Sequence, residues 1–239
     1  MINFFRKIRK KLADDNKPLK YMRYAIGEIV LVVIGILIAL SINNWNEWWK
    51  DREKEQKVLE TLADNLERNS VILREGLSRV EELHKSAKIV FNFFEGKVTY
   101  HDSLDNHFVL GRRNGVMQGI ISSEGYENYK NVGFDIILSD DIKTNVLHLF
   151  EVEYPRLVTY RRLLFEVYSA NKKYDIIRNQ YFRKNKPINI SALLNSNDMY
   201  EMYAEPYRLR SLQKVQLNEI LDNTERVLQL IKDELGEIE

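Results

Sequence analysis

The chain has no cysteine, and its 239 residues include only four prolines and ten glycines. The lack of cysteine excludes disulfides, thiolate zinc sites, iron–sulfur clusters and cysteine nucleophiles, although it does not identify the compartment. The scarcity of helix-breaking residues, together with 30% charged residues, favours helices. The length suits either one large core or a tail, a membrane span and one domain.

The sequence also lacks the patterns that mark common active sites. GxSxG, HExxH, Walker A, GxGxxG and EF-hand patterns are absent. In "HDSLDNH", His101 and His107 are six residues apart, which does not align two metal ligands on one helix face, and no third ligand is evident. We interpret this segment as a polar loop and His148, which lies between two leucines, as a half-buried structural residue. We therefore expect no enzyme activity, no metal and no cofactor.

Charge is distributed unevenly, although the net charge is only +1. Residues 1–45 hold eight of the 36 basic and three of the 35 acidic residues, giving +5. That leaves 28 basic and 32 acidic residues for 46–239, giving −4. The basic excess directly precedes an apolar run, where anionic lipid headgroups are the expected partner. The larger part has no basic stripe, so we expect no nucleic-acid binding.

The apolar run predicts a transmembrane helix in the lipid bilayer. Ile29 to Leu40 is a stretch of twelve residues without a polar side chain, and residues 24–44 would extend about 31 Å as a helix, close to one hydrocarbon thickness. Aromatic belts are expected where such a span meets water. The candidates for these interfacial anchors are Tyr21, Tyr24, Trp45, Trp48 and Trp49. A buried core helix is the alternative interpretation of the run.

The distribution of lysine and arginine predicts the orientation of the span. Eight basic residues precede the apolar run, whereas the stretch after it, up to Asp64, has four. The positive-inside rule then places the N-terminus in the cytoplasm and residues 45–239 on the periplasmic side of the inner membrane. The triplet Ala39–Leu40–Ser41 is compatible with signal-peptide cleavage, but the region before the run exceeds twenty residues. We therefore favour an uncleaved signal anchor.

Three segments follow from this topology. Residues 1–23 form a basic cytoplasmic tail, residues 24–44 the transmembrane signal anchor, and residues 45–239 an extracytoplasmic helical domain. The tail segment "FFRKIRKKL" has the pattern of an amphipathic helix that lies on a lipid surface. Its lipid-facing basic residues are Arg6, Lys7, Arg9, Lys10 and Lys11.

Two N-terminal stretches are distinctive, "FFRKIRKKL" and "KYMRYAIGEIVLVVIGILIALSINNWNEWWK". Together they resemble the N-terminal signature of a family of uncharacterised bacterial single-pass membrane proteins. The segment "SSEGYENYKNVGFDIILSDDIKTNVLHLF", Ser122 to Phe150, is similar to a helical segment of the same family. The resemblance implies the single-pass topology, and the family has no established activity that could be carried over.

Periodic apolar residues predict an elongated all-α bundle outside the membrane. From Leu59 to Phe94 they recur at helical spacing, and a last helix over about 207–235 has a complementary stripe. We expect these two long helices to pack antiparallel. The shorter helices predicted between them cover about 103–110 with Ser103 as cap, 122–131 with Ser122 or Ser123 as cap, Ser139 to before Pro155, 156–184, and Asn197 to before Pro206.

Asn69 interrupts the apolar stripe between Leu66 and Leu73. An asparagine at such a position can set the register of a coiled coil. The alternative is a polar residue at the edge of the stripe. Whether residues 46–95 continue the span as one rod or break near Asn69 is left open by the sequence.

Glu28 is an acid inside the predicted span, where a carboxylate usually faces a partner or the interface. Helical spacing places it on one face with Gly35 and Ala39, a small-xxx-small pair that lets two helices approach closely. One interpretation is therefore a helix-packing face. A second is that Glu28 snorkels to the cytoplasmic interface. A third is an ion pathway, because the layout resembles that of ion-driven stator subunits.

The function predicted from these features is a membrane-anchored interaction or scaffold module, forming a homo-oligomer or binding another membrane protein. A sensor or transport accessory subunit that binds a ligand outside the cytoplasm is the alternative, and an ion-coupled subunit is a third. Tyrosine and methionine together suit a partner surface, or else they fill the core of the bundle. The residues of this possible surface are Tyr200, Met202, Tyr203 and Tyr207.

Overall fold

The computed structural model describes residues 18–113, 119–170 and 172–238, and the all-α prediction is confirmed for them. The helices are α1 (Pro18–Phe94), α2 (Leu104–Leu110), α3 (Glu124–Val132), a 3-10 turn (Phe134–Ile136), α4 (Asp140–His148), a π-helical turn (Leu149–Glu153), α5 (Tyr154–Ala170), α6 (Lys172–Tyr181), α7 (Ile190–Leu194) and α8 (Asn197–Ile238). The chain divides into two compact units, Met1–Lys54 and Glu55–Glu239. Helix α1 is continuous, and the predicted domain start at residue 45 lies within the first unit.

The antiparallel packing of α1 against α8 follows from three ion pairs between them. Glu67 of α1 pairs with Lys232 of α8 at 2.5 Å. Further along α1, Arg74 pairs with Glu225 at 2.6 Å, and Glu81 pairs with Lys214 at 2.8 Å. Residue numbers rise along one helix as they fall along the other. These exposed pairs contribute little energy each, but they fix the direction of packing.

A large apolar cluster lies between these long helices and α3, α4, the π-helical turn and the start of α5. Leu59, Leu62 and Leu66 of α1 are completely buried in it, as the apolar spacing predicted. Its other members include Tyr129, Val146, Leu149, Leu217 and Ile231. Burial of this face stabilises the second unit far more than helix propensity does.

A second, smaller cluster surrounds the end of α1. It contains Phe93 of α1, Phe108 of α2 and Tyr203 of α8, with Phe182 from a small β-hairpin. The rings of Phe93 and Phe108 meet edge to face at a centroid distance of 5.5 Å. These aromatic contacts hold the short elements together where α1 ends.

The β-hairpin is an addition that the helical pattern did not predict. Instead of one helix over 156–184, the chain forms α5, α6 and then strands β1 (Phe182–Arg183) and β2 (Lys186–Pro187). The two-residue turn is made by Lys184 and Asn185, with φ of 49° and 69°. Two successive positive φ angles match the right-handed twist of a hairpin.

Two buried asparagines of α1 fasten the segment before α3. Asn69 donates from Nδ2 to the Ser122 carbonyl at 2.8 Å and accepts the Ser122 N–H on Oδ1 at 2.9 Å. One turn earlier, Asn65 donates to the same carbonyl at 3.2 Å and accepts the Gly125 N–H at 3.0 Å. A Cβ on Gly125 would lie 2.7 Å from the Thr61 carbonyl oxygen, so this close approach requires glycine. Asn69 is therefore a clamp within one chain, and this contact needs no coiled-coil partner.

Arg210 of α8 is a buried charge surrounded by backbone carbonyls. Its side chain is 1% exposed and donates from Nη1 to the carbonyls of Leu83 at 3.0 Å and Gly111 at 2.7 Å. Its Nη2 donates to the carbonyl of Arg113. The fixed fork of the guanidinium suits three acceptors from two segments, and these acceptors replace the water that burial removes.

Two predicted helix ends at prolines are wrong. The helix before Pro155 does not stop, because the π-helical turn continues into α5 and the Tyr154 N–H bonds the Leu149 carbonyl. This wider turn makes room for the proline ring. Pro206 likewise lies buried inside α8 and ends no helix. Packing on both sides of Pro206, by Tyr203 and Arg210, outweighs the cost of a proline inside a helix.

Candidate functional site

The apolar stretch of α1 is the most distinctive surface of the described chain. Every side chain from Ile29 to Leu40 is exposed, and Leu31 has 71% of its surface accessible. Within the described residues α1 is the one helix long and apolar enough to cross a membrane by length and composition. Monomeric soluble proteins rarely expose an apolar surface of this size.

The tryptophans that follow the apolar stretch are also exposed. Trp49 forms edge-to-face contacts with Trp45 and Trp48, at centroid distances of 6.3 and 5.6 Å. The guanidinium of Arg52 lies 5.7 Å from the Trp48 ring centroid. An exposed aromatic cluster with a charged neighbour has the character of a membrane–water interface.

The other predicted lipid contacts lie outside the described residues. They are the basic residues Arg6, Lys7, Arg9, Lys10 and Lys11, and the side chains of Tyr21 and Tyr24.

The predicted packing face of the span lies on the surface of the chain. Glu28 is half-buried, whereas Gly35 and Ala39 are exposed. A Cβ added to Gly35 would meet no atom within 4 Å, so the helix surface at this glycine is open. The geometry is compatible with close helix–helix approach at this face.

The predicted tyrosine and methionine surface is wrong for two of its four residues. Met202 is 3% exposed and Tyr203 is fully buried, because both fill the second cluster, and the Tyr203 hydroxyl donates to the Phe108 carbonyl at 3.0 Å. Burial raises the pKa of Tyr203. The core-filling alternative therefore describes these two side chains.

The remaining two tyrosines of that set are half-buried and engaged in the fold. Tyr207 stacks on His84 at 5.0 Å and on Phe91 at 4.9 Å. Tyr200 donates its hydroxyl to Glu95 at 3.0 Å. Both rings contact residues of α1, and part of each side chain remains exposed.

The "HDSLDNH" segment does not assemble a ligand set. His107 contacts Ser86 of α1 at 3.2 Å, whereas Asp105 accepts the Tyr100 hydroxyl at 2.9 Å. Asp102 and Asp105 both pair with Lys186, at 3.4 and 3.6 Å. Among the described residues no group of three or more histidine, aspartate or glutamate side chains could hold a metal ion.

One surface groove of about 460 Å³ has aromatic walls. The Tyr126 ring stacks on Phe150 at 4.8 Å, and its hydroxyl donates to Glu151 at 2.5 Å. Lys130 lies 4.0 Å from the same carboxylate. The polar groups of these walls bond to each other, so they do not converge on a ligand, and the groove gives no specific support to a ligand-binding role.

A buried acid on the π-helical turn has one oxygen engaged and one without a hydrogen-bond partner. Glu153 accepts from Asn223 of α8 at 2.8 Å on Oε1, and His148 Nε2 lies 3.3 Å from the same oxygen. Oε2 is buried and has no partner among the described residues. Wide helical turns and buried acids occur at functional sites, but among the described residues Glu153 and His148 belong to no group of three side chains that could hold a metal ion.

The comparisons with known proteins bear on the first part of the chain. Residues 28–100 match a profile described as a family of unknown function (DUF6090). The match begins at Glu28 and covers the apolar stretch, the tryptophans and the packed part of α1, less than a third of the chain. No curated protein and no solved structure matches the chain.

Sequence reasoning missed the buried polar contacts. Asn65 and Asn69 are four residues apart on the apolar face of α1, a spacing that could have identified a paired clamp. No local pattern marks Arg210 or Glu153, because their partners come from distant parts of the chain.

Proposed function

We propose that the protein is a single-pass membrane protein whose helical domain lies outside the cytoplasm and acts as an interaction or scaffold module. The observation that carries this proposal is the exposed apolar stretch from Ile29 to Leu40, followed by the exposed tryptophans. In water such a surface would be unfavourable, whereas in a bilayer it is the normal surface of a spanning helix. The basic excess before the stretch supports a cytoplasmic N-terminus.

We further propose a homo-oligomer in which the Glu28, Gly35 and Ala39 face packs against a second copy. The open helix surface at Gly35 supports this arrangement, since small residues let helix backbones approach within the bilayer. A catalytic role forms no part of the proposal.

The topology is tested by cysteine labelling, which the absence of native cysteine makes clean. Asn16→Cys and Asp64→Cys each introduce a single thiol on opposite sides of the apolar stretch. In intact cells with a permeable outer membrane, an impermeant maleimide should label Asp64→Cys, and it should label Asn16→Cys only after lysis. Equal labelling of both in intact cells would contradict the single-pass topology.

The oligomer is tested by disulfide cross-linking in membranes. Ala39→Cys lies on the proposed packing face, and Leu37→Cys lies on the opposite face of the same helix. Oxidation should yield a covalent dimer for Ala39→Cys but not for Leu37→Cys. A monomeric particle by light scattering in mild detergent, together with equal cross-linking at both positions, would contradict the proposed packing.

A further inference from the structure

The mildly acidic balance of residues 46–239 conceals a basic region. Residues 154–190 contain nine lysines and arginines but only two acids, a net charge of +7. The rest of residues 46–239 therefore carries −11. Basic side chains of such a segment attract anions where they are exposed and unpaired. The β-hairpin stands at the C-terminal end of this basic region.

The hairpin presents two basic side chains to solvent. In β1, Phe182 points into the second cluster while Arg183, the next residue, is exposed, as expected for alternating strand side chains. Lys184 is exposed at the turn. Within the described part of the chain neither Arg183 nor Lys184 has an acidic partner, whereas Lys186 is already paired with Asp102 and Asp105.

Lys184 occupies a turn position whose backbone conformation is unfavourable for lysine. Lys184 has φ of 49°, a region that favours glycine or asparagine over lysine. Asn185, the second turn residue, accepts from Arg178 Nη2 at 2.5 Å, and the Arg178 guanidinium lies 5.2 Å from the Phe182 ring centroid. These contacts hold the turn against α6, so the charged tip is fixed on the aromatic cluster.

An apolar surface adjoins these charges. Pro187 and Ile188 line an open concavity of about 380 Å³ together with Arg183, Lys184 and Lys186, and Ile188 is 54% exposed. Charge alone would be enough to bind a phosphate polymer. An acidic protein could likewise be bound without an exposed isoleucine. Basic residues beside an exposed apolar side chain suit a bilayer surface, where headgroups meet the charges and the acyl boundary meets the apolar group.

We propose that the β-hairpin is a lipid-contact site that binds the phosphate headgroups of an anionic bilayer surface through Arg183 and Lys184, with Ile188 entering the headgroup layer. The site is separate from the apolar stretch of α1 and does not depend on whether that stretch spans a membrane. A chain with both would contact lipid at two positions, one by insertion and one by adsorption.

The experiment uses the full chain in phosphatidylcholine nanodiscs, mixed with sedimentable vesicles of phosphatidylcholine with or without about 30% phosphatidylglycerol. All samples carry glutamine at five tail positions, Arg6, Lys7, Arg9, Lys10 and Lys11, so that the tail contributes little binding. This background protein should sediment with the anionic vesicles and not with the neutral ones. Failure to do so would overturn the proposal.

Charge reversal then locates the site. Arg183→Glu with Lys184→Glu should lower the bound fraction at least about fivefold, because two headgroup contacts become repulsive. The matched control is Lys85→Glu with Lys88→Glu, two exposed lysines of α1 with the same change in net charge, and it should stay within about twofold of the background. Equal losses in both variants would show a net-charge effect and overturn the site.

The apolar contact distinguishes a bilayer surface from a soluble anion. Ile188→Ser should lower vesicle binding about twofold without changing the circular dichroism spectrum of the protein. If Ile188→Ser has no effect and free polyphosphate displaces the protein completely, the hairpin is a polyanion site and the lipid assignment is wrong.

Discussion

Two stretches of helix α1 have similar backbones and opposite surfaces. From Ile29 to Leu40 the side chains are apolar on all sides, and every one is exposed. From Val58 to Phe93 the apolar residues recur on one face, and that face is buried. The polar residues of the second stretch, such as Glu60 and Glu67, lie on its exposed side.

The two patterns suit different surroundings. An apolar stripe at helical spacing is matched to one protein face, whereas an apolar surface all round has no such face and suits a lipid environment. The distinction is therefore one of pattern rather than of total hydrophobicity. This distinction between the two stretches can be tested by making the same kind of substitution in each of them.

The largest expected effect comes from removing a leucine side chain from each stretch. Leu66→Ala should destabilise the packed domain by about 3–5 kcal/mol, because Leu66 is completely buried and the cavity can close only in part. Leu37→Ala removes the same atoms from an exposed position, so it should leave the domain's unfolding free energy unchanged within about 0.5 kcal/mol.

Both proteins are measured by urea unfolding of the full chain in mild detergent, followed by circular dichroism. Membrane extraction with carbonate serves as the second readout, and neither variant should be released. A loss of stability in Leu37→Ala as large as that in Leu66→Ala would mean that the apolar stretch packs against protein and not against lipid.

The second prediction compares two asparagines of α1. Asn69→Ala should cost about 2–3 kcal/mol, since two part-buried hydrogen bonds to Ser122 would be lost and its N–H would have no acceptor. Asn43→Ala removes only an exposed contact to Glu47 at 3.0 Å and should cost a few tenths of a kcal/mol. Urea unfolding measures both changes, and similar costs would show that the clamp does not hold Ser122.

The sequence predicted the apolar faces of these helices well and the polar contacts poorly. Leu59, Leu62 and Leu66 were identified by spacing, because burial of a helix face is a local property of the chain. The role of Asn69 was not identified, because Ser122 lies 53 residues away in the sequence. Met202 and Tyr203 were ambiguous for a related reason, since their residue types suit a partner surface and a core equally.

Helix ends were predictable where local chemistry decides them. Gly133 ends α3 with a φ of 113°, a conformation that glycine adopts without strain. Pro155 and Pro206 did not end helices, because a π-helical turn and tertiary packing compensated for them. The apolar stretch from Ile29 to Leu40, in contrast, could be recognised from local composition alone.

The third prediction concerns alkaline pH. Burial raises the pKa of Tyr154 to about 12, and its hydrogen bonds with Thr224 and Asn69 oppose that increase. The folded state thus favours the protonated phenol, so the stabilisation is complete below pH about 10 and is lost as the pH rises towards about 12. This pH-dependent contribution to stability amounts to about 3 kcal/mol for Tyr154.

Tyr154→Phe isolates this contribution. At neutral pH the variant loses the hydroxyl contact with Thr224, 3.0 Å away, and should be less stable by about 1 kcal/mol. Between pH about 10 and 12 its stability should fall less steeply than that of the wild type, because one fewer buried phenol must ionise. Parallel stability curves would show that Tyr154 does not titrate with unfolding.

The fourth prediction has the smallest expected effect and compares two serines that precede helices packed on α1. The Ser139 hydroxyl accepts the Ile142 N–H at 3.4 Å and caps α4, whereas Ser123 stands before α3 without a side-chain capping bond. Ser139→Ala should therefore cost about 0.5–1 kcal/mol, and Ser123→Ala no more than a few tenths. Both are measured by urea unfolding in the same detergent. If Ser123→Ala costs as much as Ser139→Ala, the loop before α3 depends on more than Asn65 and Asn69, and the clamp cannot be its main attachment to the packed stretch of α1.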